Sequence, residues 1–218
     1  MRDDLKYARQ RMLEDLERVY GIRDRRVLDA MRSVKRHLFV GDHLRRQAYG
    51  DFALPTEADQ TISQPFVVAR MTELLDVGPD HSVLEVGTGT GYQTAILAEL
   101  AGRVFSLERI GRLARQAISR IRELGYQNVK IQTFDGTIGW REAAPFDRIL
   151  VTAGAPAAPE PLLEQLTVGG LLVVPEGDRE RQKLARYRKL RGGGYRRQEG
   201  EAVAFVPLVG RYGWDEES

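Results

Sequence analysis

The spacing of apolar positions changes character along the chain. Leu5, Met12, Leu13, Leu16 and Val19 recur with helical period over residues 4–20, and Val27, Leu28 and Met31 do so over residues 25–34. From His37 to Gln60 the period lapses. Gly50, Pro55 and polar residues there predict a long loop, a kind of segment that compact domains often reserve for function. Helical spacing returns at Ser63-Gln64-Pro65, where proline suits a first turn and Val67, Val68, Met71, Leu74 and Leu75 follow.

From Ser82 onward, short apolar runs alternate with helical stretches. Strands are predicted at 83–86, 104–107, 129–133, 147–152 and 171–174. Helices are predicted at 92–101, at 110–124 with Leu113, Ala117, Ile118 and Ile121 inward, and at 161–166, the last closed by Gly169-Gly170. This alternation predicts an α/β fold with a doubly wound, mostly parallel sheet. Residues 183–190 and 202–208 then read as two strands around the turn Arg191-Gly192-Gly193-Gly194, a C-terminal antiparallel hairpin. Without repeats or low-complexity linkers, residues 1–218 read as one domain. Its parts are N-terminal helices and a loop (1–62), an α/β core (63–180) and C-terminal strands (181–218).

Composition narrows the chemistry. There is no cysteine, which removes disulfides, thiolate metal sites and cysteine nucleophiles; three histidines make a histidine-rich metal site unexpected. The 33 basic and 31 acidic residues nearly cancel, short of a nucleic-acid footprint. Residues 1–6 are charged, with no apolar signal region, and no apolar run reaches membrane-spanning length. The expectation is a cytoplasmic monomer that engages neither nucleic acid nor membrane.

The candidate site begins where the first core strand ends, at Gly87-Thr88-Gly89-Thr90-Gly91-Tyr92-Gln93. Glycines there let the backbone turn sharply and approach a ligand, and the following helix aims free N–H groups at it. A bare tight turn would show the same glycines. The next strand ends in Glu108, 17 residues after Gly91, where a carboxylate can accept both hydroxyls of a ribose; the alternative is a solvated partner for Arg109. Dinucleotide enzymes use G-x-G-x-x-G, whereas this loop reads G-x-G-x-G behind Glu85. A carboxylate there would repel a pyrophosphate and suits the cationic S-adenosylmethionine. At the third strand tip, Asp135 could accept from an adenine amino group while the Gly136 N–H donates to a ring nitrogen, or the pair could be a simple Asp-Gly turn.

These residues resemble one family, the protein-L-isoaspartate O-methyltransferases. The resemblance rests on Met31-Arg-Ser-Val-Lys-Arg-His-Leu-Phe-Val40, Ala48-Tyr-Gly-Asp51, Gln60-Thr-Ile-Ser-Gln-Pro65 and Met71-Thr-Glu-Leu-Leu75. It continues through Val83-Leu-Glu-Val-Gly-Thr-Gly-Thr-Gly-Tyr-Gln-Thr-Ala95, Asp135-Gly-Thr-Ile-Gly-Trp140, Ala144-Pro-Phe-Asp147 and Val151-Thr-Ala153. Gln60–Pro65 is the most specific of these stretches. Three departures stand out: Lys35 where the family usually has proline, Thr56-Glu-Ala-Asp59 without the usual glycines, and Phe134 before Asp135-Gly136.

The resemblance implies a repair enzyme that methylates the free α-carboxyl of L-isoaspartyl residues in ageing proteins and peptides, after which the ester cyclises to a succinimide that can reopen to aspartate. It implies Ser63 as the catalytic serine, with Thr61 and Gln64 shaping the same loop. By itself Ser63 reads more readily as a helix N-cap, and the resemblance reverses that order. His37 lies in a matched stretch, although a lone histidine is more often structural. Phe205 and Val206 could pair through main-chain hydrogen bonds with an extended substrate, which suits broad sequence tolerance. A methyltransferase for small molecules or RNA, a silent binding module and a nicotinamide oxidoreductase are the competing readings.

Overall fold

A computed structural model describes residues 5–56 and 60–216. The predicted start of the first helix at Asp4, and most of the glycine-free stretch ending at Asp59, lie outside them. Helix α1 spans Lys6–Arg18 and α2 Arg25–Ser33. Met12, Leu13 and Leu16 are buried as expected, but Val19 falls past the helix end and is 71% exposed, and the stem of Arg9 fills the inner face instead. The predicted loop carries regular structure among its described residues. It holds 3₁₀ helices at Arg36–Leu38 and Asp42–Gln47, of one and two turns, and a two-residue antiparallel ladder between β1 (Leu54–Pro55) and β2 (Thr61–Ile62). Helix α3 (Pro65–Leu75) follows directly.

The core is a seven-stranded sheet of β3 (Ser82–Val86), β4 (Arg103–Glu108), β5 (Val129–Thr133), β6 (Phe146–Val151), β7 (Leu166–Gly177), β8 (Gln182–Lys189) and β9 (Tyr195–Val203). Their order is β5-β4-β3-β6-β7-β8-β9. The first five in that order run parallel, and β8 and β9 antiparallel. Crossovers pass through α4 (Tyr92–Leu100), α5 (Gly111–Glu123) and α6 (Glu160–Glu164). The chain starts at central β3, builds outward to β5, then returns to β6. That reversal opens a crevice at the C-terminal ends of β3 and β6, the point where doubly wound sheets bind ligands.

Period two along β3 sorts its side chains. Leu84 and Val86 pack on the face with Leu107, Phe146 and Ile149, and Val83 packs on the other with Leu75, Leu97 and Val104. Helix α4 is buried on nearly every side, because α1 and α2 cover it from outside and the sheet from within. No described helix is long and apolar enough to cross a membrane.

Two boundaries differ from expectation. Gly169-Gly170 do not close α6, which stops at Glu164. They lie inside β7, where the pairing with β6 shifts register between Phe146↔Leu166 and Arg148↔Leu171. The returning strand of the hairpin is Tyr195–Val203, not 202–208. Its residues are polar and exposed on both faces, as an edge strand allows, so no apolar alternation marked it. Phe205 to Leu208 leave the sheet and cross the mouth of the crevice, where Pro207 bridges Gly154.

Candidate active site

The crevice is a cleft of about 260 Å³. Its floor is the turn from β3 into α4. Gly87, Gly89 and Gly91 all hold positive φ (100°, 53° and 86°), a region L side chains rarely enter. A Cβ on Gly87 would sit 2.4 Å from Thr152 Oγ1, whereas the space beside Gly89 is open for at least 4 Å. Gly87, Thr88, Gly89 and Thr90 line the cleft. Gly91 does not: it is the left-handed cap of α4, and its missing Cβ faces Ala117 and Ile121 on α5.

Glu108, at the tip of β4, also lines the cleft and is 7% exposed. Its Oε2 accepts from Gly89 N–H at 2.8 Å and its Oε1 from Ile110 N–H at 2.9 Å. The two bonds fix the carboxylate against the glycine loop and leave each oxygen a lone pair for a diol. At the third strand tip Gly136 lines the cleft beneath Val86, whose Cγ1 lies 2.4 Å from where a Cβ would stand. Gln93 lines it as well, its amide donating to Thr72 Oγ1 at 3.0 Å.

Several predicted contacts turn away from the cleft. Glu85 follows Val83 to the α4 face of the sheet and is fully buried behind the loop. Its Oε2 accepts from Thr94 Oγ1 (2.5 Å) and Ser106 Oγ (2.6 Å), and Ser106 bonds Thr88 Oγ1 (2.6 Å). Glu85 thus ties the loop to β4 and α4 from behind. Burial pushes its carboxyl up to about 8, partly opposed by the two hydroxyls and reinforced by Glu108. The charge expected to greet a cation is therefore neutral and remote. Asp135 is engaged elsewhere: Oδ1 accepts from Thr137 N–H and Oγ1, and Oδ2 from Arg211 N–H of the C-terminal segment. It caps a 3₁₀ turn and does not line the cleft, so of the pair only Gly136 faces it. Tyr92 reaches the lining, but its ring lies buried under Phe39 and the Arg36 guanidinium.

The opposite wall comes from β2 and the chain after it: Gln60, Thr61, Ile62 and Ser63. Ser63 does not cap α3. Asp51 does so from the preceding loop, its Oδ1 accepting from Phe66 N–H at 3.0 Å and its Oδ2 from the Gln64 amide at 2.7 Å. Gln64 is thereby a strut behind the wall. His37 stays on the side of the N-terminal helices, bonded to Tyr49 Oη at 2.8 Å. Phe205 and Val206 line the third side. The Phe205 N–H already donates to Gln182 Oε1 (2.8 Å), and the Val206 carbonyl accepts from Gly154 N–H (2.8 Å). The Phe205 N–H is thereby taken from the expected pairing with a peptide strand, while the Val206 carbonyl keeps a second lone pair.

Sequence reasoning missed Met71, Ile110 and Thr152, all in the lining. Thr152 had a usable signal: it ends the strand next to the glycine loop at the sheet's reversal point. Among the described residues no cluster of histidine, aspartate or glutamate could hold a metal ion.

A family model described as protein-L-isoaspartate(D-aspartate) O-methyltransferase matches residues 7–213. Protein-L-isoaspartate O-methyltransferase 2 of Geotalea uraniireducens is 50% identical over 214 residues, covering 98% of this chain and 99% of its own. Protein-L-isoaspartate O-methyltransferase 1 of Syntrophobacter fumaroxidans is 52% identical over 208 residues, covering 95% and 97%. A solved protein-L-isoaspartate O-methyltransferase superposes with a TM-score of 0.81 at 28% identity, over 94% of this chain and 67% of that one. A Plasmodium falciparum structure described under the same activity, in complex with S-adenosyl-L-homocysteine, gives 0.77 at 27%, over 92% and 98%. The glycine-loop cleft, the Gln60–Pro65 wall and near-full-length identity of about one half lead to one conclusion: the chain belongs to the protein-L-isoaspartate O-methyltransferase family.

Proposed function

We propose that this protein transfers the methyl group of S-adenosylmethionine to the free α-carboxyl of L-isoaspartyl residues in damaged proteins and peptides, and that the cleft is where it does so. One observation carries the reading. The cleft joins a glycine floor with a pinned diol acceptor, Glu108, to a facing wall that presents Ser63, whose hydroxyl Asp51 has released from capping.

The donor set fits an adenosyl ligand. Glu108 keeps a lone pair on each oxygen for a ribose, and Gly87, Gly89 and Gly136 leave no side chain in the way. S-adenosylmethionine, when bound, supplies a methyl group on a cationic sulfur that needs no further activation. The substrate carboxylate is ionised at neutral pH, with an ordinary pKa near 3.5 to 4, so no general base is required. The work left to the chain is alignment. Ser63 Oγ–H donates to the substrate carboxylate, Thr61 flanks it, and Phe205 and Val206 close the side and limit water. Holding two reactants in line this way contributes roughly 7–11 kcal/mol toward the barrier.

Incubation with labelled S-adenosylmethionine and paired peptides tests the reading. Label should enter the isoaspartyl peptide and not its aspartyl twin; equal labelling, or none, overturns it. Ser63→Ala should slow transfer while leaving cofactor affinity within about twofold, since the serine lies on the facing wall.

A further inference from the structure

The outer hairpin divides its basic residues by face. On the face of Ala185 and Tyr187 every cation has a partner. Arg197 pairs with Glu176 at 2.9 Å, Lys183 with Glu199 at 2.6 Å, and Lys189 donates to the Glu164 and Leu166 carbonyls at 2.8 Å. The opposite face begins with Leu184, buried with Leu75 of α3. Beyond it stand Arg186 and Arg188 on β8 and Arg196 and Gln198 on β9, and these four residues wall a hollow of about 160 Å³.

No described ion pair involves Arg186, Arg188 or Arg196. Arg188 lies directly across the ladder from Arg196, a like-charge pairing that sheets disfavour unless something offsets it. Arg186 sits two residues from Arg188 on the same face, roughly 7 Å along the strand. Its Nη1 reaches Gln198 Oε1 at only 3.4 Å, and its Nε is buried with no hydrogen-bond partner. The acid whose charge partly offsets this burial at Arg186, Asp76, already serves Arg26 and lies 3.9 Å from Arg148. Burial and Arg188 together lower the pKa of Arg186, the direction expected of a cation without its counter-charge. A planar guanidinium recognises phosphate oxygens through paired N–H donors, and here three surround one hollow.

We propose that this hollow is a binding site for a diphosphate-type oxyanion, held by Arg186, Arg188 and Arg196. It lies at the end of the sheet away from the methyl-transfer cleft. Arg188 pairs with Leu171, and Leu171 with Arg148 near the start of β6, whereas the cleft opens beyond Val86 and Val151 at the strands' other ends. The site therefore fills independently of the cofactor.

Isothermal titration with inorganic pyrophosphate at fixed ionic strength tests this. The expected result is saturable one-to-one binding, unchanged by saturating S-adenosylhomocysteine. The double variant Arg188→Gln/Arg196→Gln should bind at least tenfold more weakly with cofactor affinity intact. Arg186→Met, which keeps an apolar stem under the sheet, should show a comparable loss. A parallel titration with ADP distinguishes a nucleotide's diphosphate from the free anion, and binding in either arm that the double variant loses supports the site. Heats no larger than those of sodium chloride at equal ionic strength overturn it, as does a double variant that binds like the parent.

Discussion

Glu85 combines full burial with a hydroxyl network, and its titration should govern how stability depends on pH. Its carboxyl is pushed from 4.5 to about 8, so the folded protein keeps a proton that the unfolded chain loses above about pH 4.5. A raised folded-state pKa contributes its stability fully below the unfolded value, and that contribution is lost as pH climbs to the folded value. The full shift corresponds to about 5 kcal/mol as an upper bound. Between pH 5.5 and 7.5 the linkage relation gives a loss of about 2.5 kcal/mol. Glu85→Gln removes the titration and keeps a carbonyl that accepts from Thr94 and Ser106 as Oε2 does. Its amide lands where Oε1 has no partner. Urea unfolding followed by circular dichroism at several pH values measures both proteins. His81, whose pKa burial lowers, adds a trend of opposite sign that is common to both and cancels in the difference. The parent should lose about 2.5 kcal/mol relative to the variant across that window. Parallel profiles would refute the reasoning, because the buried carboxyl would then be titrating as if in water.

Three further outcomes follow from the site. Asp51→Ala removes the cap of α3 and the anchor of Gln64, which should cost about 1–2 kcal/mol in thermal or urea unfolding and lower turnover by displacing Ser63; unchanged turnover would show that the wall holds itself. Gly136→Ala drives a methyl into Val86 and should destabilise by about 1–3 kcal/mol while weakening cofactor binding in calorimetry. Glu108→Ala should weaken S-adenosylhomocysteine binding by tenfold or more, since it removes the diol acceptor and frees Gly89 N–H and Ile110 N–H; an unchanged affinity would remove Glu108 from the ribose role.

The parallel core was legible because strands buried on both faces read as mostly apolar runs, as Val83, Leu84 and Val86 do on either side of Glu85. Edge strand β9 was not, because an edge open to water on both faces imposes no apolar period on Tyr195–Val203. The floor of the cleft was equally readable. Its glycines answer to local backbone geometry, and Glu108 stands at a strand tip whose place the period of β4 predicts.

The misread residues share one physical cause: a polar side chain's role depends on which groups satisfy it, and those groups arrive from far along the chain. Asp135 looked free for an adenine until Arg211 N–H, 76 residues later, took one oxygen. The alternative reading of Ser63 as a helix cap falls for the same reason, because Asp51, 15 residues before Phe66, supplies the cap. Glu85 is the instructive exception, because its error was avoidable. Period two already sends positions 84 and 86 to one face of β3 and 83 and 85 to the other, so only one face of the strand can approach the cleft where Val86 lies. A carboxylate on the far face of a buried strand has no cation to meet and must find hydroxyls or keep its proton. Here it does both, and that makes Glu85 a clamp on the glycine loop.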